Sequence, residues 1–143
     1  MTERTVQMTP ADLTAYLAEV FPQMTDRIVI EELAPMRARV RYVVAQSDLR
    51  PGGTVSGPAM FTLADCAFYV ATLAMIGREA LTVTTSATIN FMRKPAPGDL
   101  IGEARILKLG RSLSVGDVML HSEGQEAPVA QASLTYSIPP NRK

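Results

Sequence analysis

A single carboxylate interrupts a long apolar stretch, and this feature limits what the chain can fold into. Residues 56–77 contain Asp65 and no other charged side chain. Pro58 suits the first turn of a helix and Gly77 its C-terminal cap, with strong helix formers between them. Apolar residues occupy nearly every face, so this helix should be buried on all sides. A buried lone carboxylate is costly unless it is paired or hydrogen-bonded, which makes Asp65 the first candidate functional residue.

The same stretch is long enough to be tested as a membrane span. Residues 59–76 approach the length that a bilayer requires. However, an aspartate near the centre of a span is expensive, and three further polar residues accompany it. We therefore predict the buried central helix of a soluble protein and no membrane partner.

Composition sets broad limits on the class of protein. The 143 residues fit one domain, predicted to span 1–143, and 47% of them are hydrophobic. A formal net charge of +0 gives no electrostatic case for nucleic acid and favours self-association. One cysteine excludes an internal disulfide framework and fits a reducing compartment. Since residues 1–5 lack the pattern of a signal peptide, we expect a cytoplasmic protein.

Periodicity predicts two helices and six strands. The second helix is the central one, and the first spans residues 10–20 within an N-terminal helix and connector at 1–26. The strands are predicted at 28–33, 37–44, 82–91, 100–109, 113–121 and 127–138, followed by a flexible tail at 139–143. Strands joined by short turns favour a curved antiparallel sheet wrapped around the central helix, an α+β fold. Because one sheet cannot enclose a helix completely, a second subunit is expected to complete the cover.

Two side features carry alternative interpretations. Arg37, Arg39 and Arg41 fall on one face of a predicted strand and could bind phosphate. The favoured interpretation is a solvated face that also pairs with Glu31 or Glu32. Glycine at 116 indicates a bulge in the strand at 113–121, where the apolar alternation shifts.

The motif in the central helix resembles a known family. The string GPAMFTLADCA at residues 57–67, with the order of elements, is similar to the hotdog-fold acyl-CoA thioesterases of the phenylacetate-pathway type, the PaaI-like group. In that family a His-Gly-Gly motif precedes the catalytic acid of the central helix. Asp65 falls on the acid and Gly57 on the first glycine. The likeness covers about residues 40–136 and includes 83–84, 89–96, 98–99 and 108–112.

The chain departs from the family's pattern at three positions. Ser56 replaces the motif histidine, and Pro58 replaces the second glycine. Arg50 stands where the family often has an asparagine before the motif, a residue that helps to place the thioester or the water. Ser56 can supply a hydroxyl donor or simply cap the helix, and both interpretations stay open.

The resemblance implies a hotdog fold and hydrolysis of a small or medium acyl-CoA. Asp65 would be the general base or nucleophile, and the backbone N–H of Gly57 would polarise the thioester carbonyl. In the family, a Ser or Thr from the following strand of the partner subunit holds the acid or the water, and Thr84 falls on that position. Thr84 could equally be an ordinary β-branched strand residue. Thr62 and Tyr69, one turn to either side of Asp65, could each hydrogen-bond its carboxylate.

Substrate contacts are expected from two groups of residues. Phe61 and Tyr69 could line an acyl pocket or belong to the core. In the family, certain loops approach the nucleotide part of CoA. The cationic residues in or near these loops could contact the nucleotide or be ordinary surface charge. Together with Arg50, these residues are Arg93, Lys94 and Arg111.

The resemblance also carries expectations about assembly and cofactors, and other chemistries and functions stay open beside it. The family implies a homodimer with sites across the interface and a homotetramer built from two such dimers. It implies no metal or redox cofactor, with coenzyme A only as part of the substrate. A Cys66–His121 nucleophile pair is disfavoured because His121 lies on a distant strand. The alternatives are a non-catalytic acyl-CoA-binding hotdog module, a structural dimerisation domain and, more weakly, a hotdog dehydratase.

Overall fold

The computed structural model describes residues 5–140, so most of the predicted tail at 139–143 lies outside the described residues. The helices are α1 (Pro10–Val20) and α2 (Gly57–Ile76). The strands are β1 (Ile28–Ala34), β2 (Arg37–Tyr42), β3 (Val83–Phe91), β4 (Leu100–Leu109), β5 (Leu113–Ser122) and β6 (Pro128–Ser137). Short helical turns occupy Pro22–Met24 and Gln46–Asp48. The predicted elements are all present, with ends that differ by a few residues.

The six strands form one curved antiparallel sheet in the order β1-β2-β4-β5-β6-β3. The central strands β2, β4 and β5 carry most of the contacts to α2. This is the α+β hotdog fold that the resemblance implied. The order leaves β3 at one edge of the sheet, hydrogen-bonded to β6 alone among the described strands.

Helix α2 begins and ends as its sequence predicts. Ser56 is the N-cap, and its hydroxyl oxygen accepts from the N–H of Ala59 at 3.3 Å. Gly77 ends the helix at φ 95°, a left-handed conformation that glycine adopts without strain. Among the described residues, α2 is the one helix long and apolar enough to cross a membrane, and 72% of its most apolar window is buried inside the protein.

Close approach of β5 to the backbone of β4 and to helix α2 explains Gly116. A Cβ atom at this position would lie 2.6 Å from the ring of Phe68 and 2.1 Å from the carbonyl oxygen of Arg105. The predicted bulge in β5 was wrong: the register shift lies between Ile106 and Lys108, so the extra residue belongs to β4. Glycine at 116 is therefore required by its close approach to the backbone of β4 and to the ring of Phe68 on α2.

The outer face of β2 is an ion-paired surface, as the favoured interpretation held. Glu31 accepts from Arg39 at 3.0 Å and from Arg41 at 2.7 Å. Arg41 also pairs with Asp99 and Glu123 on neighbouring segments.

Candidate active site

Two hydroxyl groups hold the Asp65 carboxylate. Its Oδ1 atom accepts from the hydroxyl of Thr84 at 2.7 Å and from that of Tyr136 at 2.7 Å. Thr84 and Tyr136 are directly opposite each other in the β3–β6 ladder, which explains why both hydroxyls converge on one oxygen. No group in residues 5–140 donates to Oδ2, so that oxygen is left to accept a proton or to attack.

Burial makes Tyr136 a fixed donor. Its side chain is 3% exposed, and burial, followed by the adjacent Asp65 carboxylate, raises the pKa of its hydroxyl far above the ordinary value. The hydroxyl therefore stays protonated at any pH at which the protein would work.

Asp65 lies in the wall of an apolar cavity of about 500 Å³, here called the Asp65 cavity. The other lining side chains are mostly apolar and aromatic, and they include Phe21, Met24, Phe61, Cys66 and Tyr69. The aromatic rings form a connected wall, because Phe21 meets Tyr69 edge-on at 6.4 Å and Tyr69 stacks on Tyr136 at 5.9 Å. The chemistry of the cavity suits an apolar group of modest size placed beside a carboxylate.

Cys66 does not offer a nucleophile in this cavity. Burial, and after it the charge of Asp65, raises the pKa of the Cys66 thiol to about 12, so the thiol stays protonated near neutrality. His121 is engaged elsewhere, with its ring nitrogens close to Glu103 and to the backbone oxygen of Gln125. Within the described residues no group of three His, Cys, Asp or Glu side chains could hold a metal ion.

Three predicted contacts of the carboxylate turn out differently. The hydroxyl of Tyr69 donates to the carbonyl oxygen of Ala80 at 2.9 Å, and that of Thr62 to Pro58 at 3.0 Å. Neither reaches Asp65, because each has a nearer backbone acceptor. Thr84 does reach Asp65, but within the same chain, whereas the resemblance assigned this contact to the partner subunit.

A second cavity of about 420 Å³ lies at the N-terminal end of α2 and is here called the Gly57 cavity. Its lining includes Gly57, Phe91 and three cationic side chains, Arg50, Arg93 and Lys94. Gly57 is the first residue of α2, where a backbone N–H has no acceptor within the helix and the positive end of the helix dipole favours an anion. This cavity can therefore stabilise negative charge.

Two other predicted site residues line neither cavity in one chain. Ser56 is the helix cap described above and does not line the cavities. Arg111 is exposed in the turn between β4 and β5 and also lines neither.

One chain thus holds two halves of the predicted site apart. The Asp65 cavity and the Gly57 cavity share no lining residue. Gly57 precedes Asp65 by eight residues of continuous helix, which places the two about 12 Å apart along the axis. A base and an oxyanion donor must both lie near one carbonyl group, so a single chain does not bring them together.

Comparison with known proteins identifies the family. Residues 52–129, more than half of the chain, match the family model described as the thioesterase superfamily. The chain belongs to the thioesterase superfamily. A solved structure of a candidate thioesterase from Silicibacter sp. TM1040 shares 56% identity with this thioesterase over 94% of each chain, with a TM-score of 0.88.

More distant structures agree with this family. A point mutant of the phenylacetic acid degradation protein PaaI from Thermus thermophilus is 28% identical, over 81% of this chain and 97% of its own, with a TM-score of 0.69. Zebrafish thioesterase superfamily member 2 shares the fold at a TM-score of 0.80 and 21% identity, over 93% of this chain and 100% of its own. No curated protein matches significantly. The resemblance to PaaI-like hotdog thioesterases is therefore confirmed.

Tyr136, Phe21 and Met24 line the Asp65 cavity, but the sequence patterns did not single them out as candidate site residues. Tyr136 alternates with apolar residues in β6 and so looked like part of the core. A signal was present, since the hydroxyl of an inward-facing tyrosine needs a buried partner, and Asp65 is such a partner. Phe21 and Met24 follow α1, and only the folded chain shows that they cover the cavity.

Proposed function

We propose that this thioesterase hydrolyses acyl-CoA thioesters at sites built between two copies of the chain. Membership of the superfamily supports thioester hydrolysis. The observation that carries the finer proposal is the Asp65 carboxylate, held at Oδ1 by two hydroxyls and open at Oδ2 in an apolar cavity.

The chemistry follows from the positions of these groups. Asp65 either removes a proton from the water that attacks the thioester carbon or attacks that carbon itself through Oδ2. The carbonyl oxygen becomes negative and accepts a hydrogen bond from the N–H of Gly57, at the positive end of a helix dipole. Expulsion of the CoA thiolate restores a carbonyl. When water has attacked, this gives the free acid, and the proton held by Asp65 passes to the thiolate. When Asp65 has attacked, it gives a mixed anhydride on the Asp65 carboxylate, which water hydrolyses to the free acid while the thiolate takes up a proton. The hydroxyl of Ser56 accepts from Ala59 and keeps its own proton available as a further donor.

The geometry of β3 supports assembly through this strand. Its free edge ends the sheet and carries exposed apolar residues, with Val83 53% and Phe91 53% exposed. Thr84, bonded to Asp65, lies at the start of β3, whereas Phe91, whose ring is next to Gly57, lies at its end. Antiparallel pairing of β3 with a second copy would set the start of one strand against the end of the other.

Such a dimer places Asp65 of one chain beside Gly57 of the other, and it does so twice because the interface is symmetric. Each site would then take its acid and apolar wall from one copy and its oxyanion donor and cations from the other. A homotetramer of two dimers and a cytoplasmic location stay predictions.

The two cavities suit the two ends of an acyl-CoA. The aromatic wall of the Asp65 cavity suits a small or medium acyl group, for which Phe61 and Tyr69 would be contacts. Arg50, Arg93 and Lys94 of the Gly57 cavity would bind the phosphates of CoA.

Release of the free CoA thiol from a panel of aromatic and aliphatic acyl-CoAs, short to long, tests this proposal. We expect turnover of one class of small or medium acyl groups. Binding of acyl-CoA without release would contradict hydrolysis and favour the non-catalytic binding module.

Removal of two cations should affect only substrates that carry phosphates. We expect the double replacement Arg93→Ser with Lys94→Ser to raise KM for acyl-CoA about tenfold, because each exposed contact to phosphate contributes modestly. The corresponding acyl-N-acetylcysteamine thioester lacks the phosphates, and its KM should be unchanged. Arg105→Ser on the outer face of the sheet is the control, and an equal rise in KM for both substrates would contradict the assignment.

Loss of the Tyr136 hydroxyl should slow catalysis without unfolding the protein. We expect Tyr136→Phe to lower kcat by about 10- to 150-fold, since a hydrogen bond to a charged group typically contributes about 1.5–3 kcal/mol. Tyr16→Phe removes a different buried hydroxyl, which accepts from the N–H of Ala80, and serves as the control in steady-state kinetics. Equal kcat values for the two variants would show that Tyr136 only packs against α2.

A further inference from the structure

A partly buried ion-pair cluster lies at the base of the loop that leads into α2. Asp48 is 7% exposed, and its carboxylate accepts from Arg27 at 2.7 and 2.8 Å, from the hydroxyl of Tyr42 at 2.9 Å and from the N–H of Ala45 at 2.8 Å. The guanidinium of Arg27 also hydrogen-bonds the Tyr42 hydroxyl and lies 5.1 Å from the centre of the Tyr42 ring. We name Arg27, Tyr42 and Asp48 the Asp48 cluster.

The cluster keeps Asp48 ionised despite its burial. Burial alone would raise the pKa of Asp48, but the hydrogen bonds from Ala45, Tyr42 and Arg27 outweigh it and hold that pKa below its usual value. A buried carboxylate with this many donors is rigidly oriented, and removal of its charge would leave Arg27 without its counter-ion.

The backbone at Asp48 fixes both ends of the following loop. Its carbonyl oxygen accepts from the N–H of Ser56 at 2.8 Å, directly before Gly57. Between them, Leu49 bridges to Val55, and the N–H of Arg50 donates to the carbonyl oxygen of Thr54 at 2.9 Å. Residues 49–55 therefore form a small hairpin with its stem on Asp48. This hairpin carries Arg50 and ends at the proposed oxyanion donor.

The Asp48 cluster is also connected to Met24, which lines the Asp65 cavity. The N–H of Arg27 donates to the carbonyl oxygen of Met24 at 3.0 Å, and Met24 lines that cavity. The N–H of Val43, directly after β2, donates in turn to the carbonyl oxygen of Arg27 at 2.8 Å. The cluster thus ties the loop before α2 to the segment after α1.

We infer that Asp48 is a positioning residue, which holds the hairpin so that the N–H of Gly57 and the side chain of Arg50 are correctly placed for the substrate in the partner's Asp65 cavity. The inference rests on the proposed function. Asp48 lines neither cavity and acts only through the atoms it holds. A displacement of about 1 Å at an oxyanion donor can cost on the order of 10²-fold in rate, so a small loosening of the hairpin has a large effect.

The test compares Asp48→Asn with Asp117→Asn, which removes a partly exposed acid paired with Arg105 on the outer face of the sheet. Asparagine keeps one of the two side-chain oxygens, so it can accept from Tyr42 or from Ala45 but not from both, and it no longer neutralises Arg27. We expect kcat for acyl-CoA to fall about 10- to 100-fold in Asp48→Asn, with a smaller change in KM, and to stay at the wild-type value in Asp117→Asn.

Amide hydrogen exchange gives a readout that does not depend on activity. We expect exchange at Ser56 and Arg50 to accelerate at least tenfold in Asp48→Asn, with the core strands β4 and β5 still protected. Arg27→Gln leaves the Asp48 carboxylate and its neutral donors in place. It should lower kcat and accelerate amide exchange at Ser56 and Arg50, but by less than Asp48→Asn does. Arg27→Gln is also the variant that tests the inference if Asp48→Asn does not fold.

The outcomes separate the inference from the proposed function. Faster exchange at Ser56 together with reduced kcat supports both. If the wild-type protein releases no CoA but exchange at Ser56 is still faster in Asp48→Asn, the result supports the holding role of Asp48 and contradicts the proposed function. Unchanged exchange and unchanged kcat in Asp48→Asn, with an active wild type, overturn the inference alone.

Discussion

Asp65→Asn is expected to lower kcat for acyl-CoA by about 10²- to 10⁴-fold while leaving the fold intact, the range typical for loss of a general base. Asparagine can still accept the hydroxyls of Thr84 and Tyr136 at its Oδ1 atom, so the local structure has no reason to change. The amide that replaces Oδ2 cannot accept a proton from water or attack the thioester carbon. The substitution therefore removes the reactive atom and little else.

Steady-state CoA release, with circular dichroism to verify folding, measures this effect. Asp117→Asn makes the same chemical change on the outer face of the sheet and should keep the wild-type kcat. If Asp65→Asn retained the wild-type kcat, Asp65 would be a structural acid satisfied by two hydroxyls, and the base would have to be sought elsewhere.

Gly57→Pro is the second substitution with a large expected effect, because it deletes one N–H group. Loss of a single oxyanion donor typically costs 10²- to 10³-fold in kcat, and we expect about that loss here. The backbone is suited to the change: Gly57 is the first helical residue, where proline is tolerated, and Ser56 before it is extended at ψ 158°. The measurement is again CoA release, with KM determined separately.

Gly57→Ala is the matched control, since it adds a side chain but keeps the N–H. Its Cβ atom would lie 3.4 Å from the ring of Phe91, which is an ordinary van der Waals contact. We expect the alanine variant to stay within a fewfold of wild type. If Gly57→Ala and Gly57→Pro lowered kcat equally, glycine would be required at this position because it has no side chain, and not because of its N–H.

Local patterns in the sequence were enough to predict the elements of the fold. Pro58 and Gly77 mark the ends of α2, and its buried character follows from apolar residues on every face. The place of β3 at the edge of the sheet, paired with β6 but not with β4, could not be predicted in this way. Strand order depends on contacts between residues far apart in the chain, which periodicity does not encode.

The candidate site was predictable only in part, for physical reasons. Asp65 stood out because an isolated charge in an apolar helix needs compensation. Tyr136, which supplies part of that compensation, did not stand out, because a tyrosine on the inward face of a strand is also ordinary core. The Asp48 cluster depends on contacts between side chains of three separate segments, so no local sequence motif predicts it.

The central claim is that each active site takes Asp65 from one chain and Gly57 from another. Mixing the inactive Asp65→Asn and Gly57→Pro proteins, with dissociation and reassembly, tests it most directly. A heterodimer then contains one site with both changes and one site with neither. Random reassembly should restore about a quarter of the wild-type CoA release, because half of the dimers are mixed and half of their sites are intact. No recovery from a mixture shown to contain heterodimers would contradict the claim, since it would place both residues in a site formed by a single chain.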